Sequence, residues 1–490
     1  MDVKARGNIL GNIVPARYIL VVLGSIGLAI VYGLKVNLSV AMVGMLNHTA
    51  LKHNNLGNGS LQNATNKATI DSPDQDGPFI WSSEVQGVIL SCYFWGYFVS
   101  QIPGGRVAEL FSAKWVMFLS VAINVLCTLL TPVMTELHYT ALVCMRVLEG
   151  IGGGVTFPGM NVLLSKWSPP AERITMTALV YTGTSLGTVI SMLMTGILTD
   201  KVGWESSFYV MGALSVIWCV LWVVLIQDSP EKQPLISIAE RKMIITSLRG
   251  NSARRDQKKI PVPWCAVFTS PAFIAILVAH TCSTWGWYLL LLDLPLYMKQ
   301  VLHFNITQNT LSTALPFLTL WLFTIFLGKT LDWLRGKAII TTTTARKIAS
   351  FIASVCPSVC LFALCFIENN RAAAVAIMTI GITSTGGLFC GFLANHIDIA
   401  PNFAGTLMAL TNTVASIPGI VVPIFVGAIT HHNQTIHEWR TIFYVTIGMY
   451  AIGITTYLAF GSSEEQPWNK VTVDNEVETK PLNEEKKTDV

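Results

Sequence analysis

The sequence predicts an all-α polytopic membrane protein whose twelve transmembrane helices form two six-helix halves. Of its 490 residues, 52% are hydrophobic and only 12% are charged, and the mean hydropathy is +0.54. Soluble domains carry about 25% charged residues, so these charges cannot cover the surface of a soluble enzyme of this length. The high apolar content excludes disorder for most of the chain, and ten cysteines are too few for a disulfide scaffold.

The apolar runs are long enough to cross a bilayer, which takes about 20 residues as a helix. We predict twelve spans, at 18–46, 85–110, 114–132, 139–166, 174–199, 207–227, 271–298, 310–333, 348–367, 372–397, 405–430 and 441–460. The first run is too long for a signal peptide and lacks a small-residue cleavage site, so we interpret it as a span. The chain then divides into an N-terminal tail 1–17, a first half 18–227, a basic central loop 228–270, a second half 271–460 and a polar tail 461–490.

The distribution of lysine and arginine predicts the orientation. Of the 32 Lys and Arg residues, 23 lie on the side of the two tails and the central loop, six lie on the other side and three lie within spans. Loops rich in Lys and Arg stay in the cytoplasm, so we expect both termini to be cytoplasmic. The central loop could bind anionic headgroups.

Five glycosylation sequons all fall on the predicted non-cytoplasmic side. The acceptors are Asn47, Asn58, Asn63, Asn305 and Asn433. We therefore expect a glycoprotein of the eukaryotic secretory route. The N-terminal tail has no acidic dileucine signal of the kind that addresses a lysosome, which favours the plasma membrane over a lysosomal or vesicular membrane.

The two halves share a short pattern at the end of their second span. Gly105 is followed four residues later by Glu109, and Gly328 is followed by Asp332 at the matching place. A glycine lets two helices approach closely, and an acid can accept bonds from the N-terminus of a neighbouring helix. We predict that these residues form a conformational latch, as is typical of the major facilitator architecture; the alternative is coincidence.

Charged side chains inside the spans are the main functional candidates, because each costs about 2.5–3.5 kcal/mol at mid-bilayer. Lys35 has no acid on its own helical face, whereas Arg146 and Glu149 are three residues apart on one face. Lys35 and Arg146 together predict a cavity that selects anions. We assign Glu149, His280 and Asp293 to cation coupling, although Arg146 and Glu149 could also be a structural ion pair.

Polar and aromatic residues could complete the pathway. Asn37, Tyr93 and Tyr288 are predicted to contact substrate, with packing or the interfacial belt as the alternative reading of each. His396 and Asp398 could titrate, but Asp398 lies near a membrane face, where solvation explains it more simply.

Motifs of other function classes are absent from the sequence. There is no Walker A string, no HExxH and no metal-spaced cysteine pair, and the glycine run 152–154 follows no strand. We therefore expect no enzymatic activity, no catalytic residue, no metal site and no cofactor beyond a co-transported Na⁺ or H⁺. The expected partners are a small anion and the lipid bilayer, without nucleic acid, and we expect a monomer.

Several strings resemble the anion–cation symporter family, which includes sialin, the vesicular glutamate transporters and the type I sodium–phosphate cotransporters. They are QIPGG at 101–105, RVLEGIG at 146–152, GVTFP at 154–158, WSPPAER at 167–173 and NHIDIAP at 395–401. The similarity runs from about residue 18 to residue 460 and is strongest to sialin-like members and invertebrate inorganic phosphate cotransporters. It implies a secondary transporter of the major facilitator fold, with Lys35 and Arg146 at the family's substrate-facing basic positions.

Four departures from the family pattern bear on substrate and coupling. The sialin and glutamate members usually have Arg where Lys35 stands, and a second acid where Gly153 stands, while Glu149 matches sialin's first acid. The glutamate transporters have His at the position of Leu90 and Arg at that of Ser283. Vesicular glutamate loading is therefore disfavoured, and Na⁺ coupling gains over the proton scheme of sialin.

The resulting expectation is a cation-coupled symporter, driven by Na⁺ or H⁺, for inorganic phosphate or an organic anion such as a sialate-like or acidic carboxylate. The alternative from another class is an anion channel or uniporter whose pore is lined by the basic residues. A non-transporting sensor is disfavoured because the tail 461–490 is short and polar.

Overall fold

The structure is a computed structural model that describes residues 14–47, 77–249, 261–293, 297, 306–367, 371–430 and 436–469. In these ranges the chain is helical apart from loops and one isolated β-bridge between Leu46 and Phe79. The side chains of residues 43, 83, 249, 292, 293 and 306–314 are not described.

Each predicted span corresponds to a helix or to a run of helices, and we keep the ordinal numbers of the spans. In chain order they are Ala16–Met45, Ser83–Leu110, Ala113–Leu137, Tyr139–Gly154 with Thr156–Trp167, Arg173–Tyr181 with Gly183–Lys201, Trp204–Leu225, Pro271–Tyr288 with the π-turn Leu289–Asp293, Ile306–Gly336, Thr342–Leu364, Arg371–Thr385 with Gly387–Cys390 and Phe392–Ile399, Ala404–Ala415 with Pro418–Thr430, and Ile436–Phe460.

Eleven described helical segments are long and apolar enough to cross a membrane. The second span, Ser83–Leu110, has 28 residues but is less apolar, because it carries glutamine, serine, glycine and an Arg–Glu pair along its length. A span that lines the interior of a bundle needs less apolar surface than one that faces lipid on most sides.

Within the described residues four spans are interrupted, where the sequence predicts continuous runs. They are the fourth, fifth, tenth and eleventh, which occupy matching places in the two halves. The fourth breaks at Val155, between a run of three glycines and Pro158. The eleventh breaks just before Pro418, which has no backbone N–H to continue the helix.

The two halves repeat the same helix contacts. The first span packs on the fifth and sixth, as the seventh packs on the eleventh and twelfth. The second packs on the fourth, as the eighth packs on the tenth, and the third packs on the fourth and sixth, as the ninth packs on the tenth and twelfth. The all-α fold with two related halves is therefore present in the structure.

The halves meet mainly near one face of the molecule, which carries residues 14–17 and 461–469 and which we call the terminal face. There Ala404–Ala415 of the eleventh span packs on the second span and on Thr156–Trp167 of the fourth, and the eighth span packs on Arg173–Tyr181 of the fifth. The remaining part of the eleventh span, Pro418–Thr430, packs on the seventh and twelfth spans of its own half.

The central loop is partly helical. Its helix Ile238–Arg249 lies at the terminal face, where Glu240 accepts bonds from the backbone nitrogens of Ala16 (2.9 Å) and Arg17 (3.2 Å). A second short helix, Trp264–Thr269, precedes the seventh span. The first of these helices is thus fastened to the start of the first span.

Candidate functional site

Lys35 lies in a cage of aromatic rings contributed by the first and second spans. Its Nζ is 4.5 Å from the ring centroid of Phe94, 5.2 Å from those of Tyr32 and Tyr93, and 5.6 Å from that of Tyr97. Ring faces attract a cation at such distances without neutralising its charge. Among the described residues no carboxylate pairs with this ammonium, and the side chain is partly exposed.

Arg146 and Glu149 form a buried ion pair beside the cage. Arg146 Nη1 lies 2.5 Å from Glu149 Oε2, with the two residues only 3% and 2% exposed. Glu149 Oε1 also accepts a bond of 3.0 Å from Thr128, and Arg146 Nη2 donates one of 3.0 Å to the backbone oxygen of Lys35. The pair is neutral as a whole, so the uncompensated positive charge at this site belongs to Lys35.

Tyr93 joins the cage to the ion pair. Its ring lies 5.2 Å from the guanidinium carbon of Arg146 and stacks on Tyr97 at 5.9 Å. The Tyr93 hydroxyl lies against Gly153, in the space that a side chain at 153 would occupy. The absence of a side chain at Gly153 therefore makes room for this tyrosine.

Tyr288, at the end of Pro271–Tyr288 in the seventh span, lies beside the cage and belongs to the second half. Its ring and that of Phe94 are in an edge-to-face arrangement with centroids 6.5 Å apart, and the Tyr288 ring also packs on Gly419. The lining therefore comes from both halves, with Lys35 on one side and Tyr288 on the other.

The other predicted site residues lie elsewhere. Asn37 is fully buried and accepts a bond of 2.7 Å from Thr195 of the fifth span; two residues from Lys35 along a helix, it faces away from the cage. His280 is 3.2 Å from Thr411 in the core of the second half. The side chain of Asp293 lies outside the described residues.

The predicted latch residues form two matching contacts between the halves. Glu109 accepts bonds from the backbone nitrogen (2.6 Å) and hydroxyl (2.7 Å) of Thr406 in the eleventh span. Asp332 accepts bonds of 2.7 Å from the same two groups of Thr175 in the fifth span. Each acid meets the first turn of a helix in the opposite half, where the helix dipole favours a negative charge.

The latch glycines lie where backbones approach. A Cβ on Gly105 would lie 2.7 Å from the backbone oxygen of Gly405, and one on Gly328 would lie 3.3 Å from the Cα of Thr175. Both glycines therefore permit the close inter-half contact that the neighbouring acids complete.

A third contact between the halves corrects the expectation that Asp398 is solvated. Asp398 is buried and binds Arg173 of the first half (2.9 Å) and Arg346 of the second half (2.8 Å). The ninth helix begins at Thr342, six residues before the predicted span, so Arg346 is inside the protein and not in a loop. Two arginines replace water as the partners of this carboxylate.

Sequence reasoning missed part of the cage. Tyr32 and Phe94 supply two of its four rings, and Thr128 binds Glu149. Tyr32 lies three residues before Lys35 on the same helical face, which is a usable signal, whereas an aromatic residue such as Phe94 has the same pattern as a core residue.

Of the five sequon asparagines, Asn47 is described and donates its backbone N–H to Phe79 (2.8 Å) at the face opposite the terminal face. Asn58, Asn63, Asn305 and Asn433 lie outside the described residues. Among the residues that the structure does describe, no cluster of three His, Cys, Asp or Glu side chains could hold a metal ion.

Comparison with known proteins identifies the family. The Major Facilitator Superfamily model matches residues 24–423. Sialin of Homo sapiens is 38% identical over 453 residues, which cover 92% of this chain and 90% of sialin. The Drosophila melanogaster protein named "Putative inorganic phosphate cotransporter" is 36% identical over 92% of this chain and 86% of its own length. Vesicular glutamate transporter 1 of Xenopus laevis is 33% identical, over 93% and 76%.

The fold is also found among solved structures. The proton:xylose symporter XylE, bound to 6-bromo-6-deoxy-D-glucose, superposes with a TM-score of 0.67 over 92% of this chain and 97% of its own, at 11% identity. At that identity the likeness concerns the fold alone. The chain is a multi-pass membrane transporter and not an enzyme, and it belongs to the major facilitator superfamily and, within it, to the anion–cation symporter family.

Proposed function

We propose that this transporter is a symporter that moves a small anion, inorganic phosphate or an organic acid, together with Na⁺ or H⁺. The observation that carries the proposal is Lys35, an ammonium surrounded by four rings and paired with no carboxylate among the described residues. An anion in contact with it gains about 4 kcal/mol at 4 Å, for an effective dielectric constant of about 20.

The charges of the site support coupling to a cation. Lys35, Arg146 and Glu149 sum to +1, because the ion pair between the last two is internally neutral. A proton on Glu149, or Na⁺ beside it, raises the sum to +2 and releases the Arg146 guanidinium from its partner. The cation thereby strengthens the attraction for an anion, which is the reciprocal coupling that symport requires.

The lysine itself favours a compact anion. An ammonium is a point charge with three donors, whereas arginine is a planar fork that matches a carboxylate. Replacing that fork with Lys35 relaxes the demand for carboxylate geometry, which supports inorganic phosphate as well as organic acids.

The contacts between the halves support the direction of entry. The latches at Glu109 and Asp332 close the terminal face, which the Lys and Arg distribution predicts to be cytoplasmic. We therefore propose that the anion reaches Lys35 from outside the cytoplasm. The proposal includes a monomer in the plasma membrane, with glycans on the outer sequons; removal of N-glycans by an endoglycosidase on intact cells tests their side.

The direct test is uptake into proteoliposomes of the purified full-length protein. Labelled phosphate, glutamate and sialate are each supplied under an imposed Na⁺ or H⁺ gradient, with protein-free liposomes as the control. Accumulation above equilibrium for one of them, abolished by an ionophore for the driving cation, supports symport and names the cation. Flux that only dissipates the anion gradient would indicate the channel or uniporter, and no flux for any anion would overturn the proposal.

A further inference from the structure

The second span carries a continuous row of neighbouring residues from the cage to the latch. Tyr93, Tyr97, Gln101, Gly105 and Glu109 are spaced four residues apart, so each lies next to the following one in a row that winds gradually around the helix. At one end the two tyrosine rings surround Lys35, and at the other Glu109 binds the eleventh span.

The middle of this row is a buried polar contact between the halves. Gln101 is 0% exposed, donates from Nε2 to the Ser416 hydroxyl (3.1 Å) and accepts at Oε1 from Asn412 Nδ2 (2.8 Å). A buried amide is expensive unless it is hydrogen-bonded, and here its partners come from the other half. Separation of the two halves therefore has to break these bonds.

Tyr97 belongs both to the cage and to this contact. Its ring centroid is 5.6 Å from Lys35 Nζ, and its hydroxyl oxygen accepts a bond of 2.8 Å from Asn412 Nδ2. One side chain thus touches the ammonium of the anion site and the amide that joins the halves.

The position of the contact along the eleventh span is that of a boundary. Asn412 is in Ala404–Ala415, the segment that packs on the first half, and Ser416 follows that segment. The next segment, Pro418–Thr430, packs on spans of its own half. The bonds of Gln101 therefore lie where the joined part of the interface ends, between the cage and the terminal face.

We propose that Tyr97, Gln101, Asn412 and Ser416 form a polar gate that shuts the path from the anion site to the terminal face, and that Tyr97 makes the gate respond to the anion. An anion on Lys35 competes with the ring of Tyr97, and movement of that ring takes its hydroxyl from Asn412. Tyr97 and Asn412 are positioning residues. The gate extends the proposed function, but its closure does not depend on which anion is carried.

Two native cysteines can report on the gate. Cys390 is buried in the cluster where the fifth span meets the eighth, near Gly328 and Ala178, so opening of the terminal face exposes it. Cys282 is buried between the seventh and twelfth spans within one half, so it is exposed only by general loosening. Peptide mass spectrometry after N-ethylmaleimide treatment distinguishes both from the other cysteines.

The experiment measures both alkylation rates in the full-length protein for Tyr97→Phe, Gln101→Leu and Asn412→Leu. Ser100→Ala and Thr413→Val are matched controls, because among the described residues both hydroxyls bond only within their own helix. Without anion, the three gate variants should alkylate Cys390 about three- to ten-fold faster than wild type, the effect of losing one or two hydrogen bonds, with Cys282 unchanged. Rates equal to those of the controls, or an equal rise at Cys282, would overturn the gate.

Inorganic phosphate then tests the response to the anion. Phosphate should accelerate Cys390 alkylation in wild type but not in Tyr97→Phe, which keeps the ring and lacks the hydroxyl. A full response in Tyr97→Phe would overturn coupling through Tyr97. If phosphate leaves the Cys390 alkylation rate of wild type unchanged, this would count against phosphate as the substrate. The rates without phosphate would still show whether the four residues form a gate.

Discussion

The guanidinium of Arg146 donates a hydrogen bond of 3.0 Å to the backbone oxygen of Lys35, which ties the two basic residues of the anion site together across the first and fourth spans. The same guanidinium pairs with Glu149. A change of charge at Glu149 therefore reaches Lys35 through a single side chain. This arrangement gives the proposed coupling a physical route.

Glu149→Gln should uncouple transport from the cation. The amide keeps the size of the side chain, and its oxygen can still accept from Arg146 while its NH₂ group donates to the Thr128 hydroxyl, but it has no charge to attract Na⁺ or a proton. Exchange of labelled for unlabelled anion should persist, while gradient-driven accumulation falls about ten-fold, within the usual range of coupling energies of about 1–3 kcal/mol. Proteoliposome exchange and uptake, measured side by side, check this.

The matched control is Glu136→Gln, which changes an exposed carboxylate at the end of the third span. Undiminished gradient-driven accumulation in Glu149→Gln would remove Glu149 from the coupling mechanism.

Gly153→Ala should weaken anion binding. The added Cβ meets the Tyr93 hydroxyl, which must move and take its ring from Lys35. The Tyr93 ring holds the ammonium in place, so losing this positioning contact of about 0.5–2 kcal/mol should raise KM for uptake about two- to thirty-fold. Gly159→Ala is the control, since its Cβ makes an ordinary contact of 3.4 Å with Met117. Equal KM values for the two alanine variants would contradict the role given to Tyr93.

Glu109→Ala and Asp332→Ala should each loosen the terminal face. Each removes an acid from the first turn of a helix in the opposite half, an interaction of about 0.3–2 kcal/mol. Cys390 should become more reactive in both variants, and the two effects should add in the double variant because the latches are separate. Glu109→Gln keeps an acceptor oxygen for Thr406, so it should raise the reactivity of Cys390 less than Glu109→Ala does. Equal reactivity of Cys390 in the two variants would argue against the latch.

Asp398→Ala should destabilise the protein strongly. It leaves Arg346, which is fully buried, and Arg173 without their shared carboxylate, and breaking a buried pair in this way costs about 3–5 kcal/mol. A lower thermal unfolding temperature in detergent is expected, with Glu464→Ala, an exposed carboxylate, as the control. The double variant Asp398→Leu with Arg346→Met should recover part of the loss. An unchanged unfolding temperature for Asp398→Ala would show that the cluster is not structural.

The sequence was sufficient for the helices but not for their interruptions. Apolar runs predicted twelve spans, and even the second span, which is less apolar than the others, is a 28-residue helix. The breaks at Val155 and before Pro418 depend on how each helix packs on its neighbours. A local pattern of glycine and proline therefore indicates where a break can occur, and packing decides whether it does.

The candidate site, like the helices, could be predicted from the sequence only in part. Lys35 and Arg146 could be selected from the sequence because a charge inside a span needs a reason. Phe94 could not, because nothing local distinguishes a ring over a cation from a ring in the core. Asn37 was selected for its polarity, but the helix turns it towards Thr195, and only the orientation of the first span about its axis reveals this.

We propose that the Lys35 ammonium holds the anion, and equilibrium binding measures this contact without the rest of the transport cycle. Binding of the anion that accumulates in the uptake assay is measured for purified wild type, Lys35→Met and Lys329→Met, the last removing an exposed lysine of the eighth span. Lys35→Met loses an attraction of about 4 kcal/mol, so its dissociation constant for the anion should rise more than about 100-fold. Lys329→Met should bind the anion like wild type. Wild-type affinity in a folded Lys35→Met protein would show that Lys35 does not hold the anion.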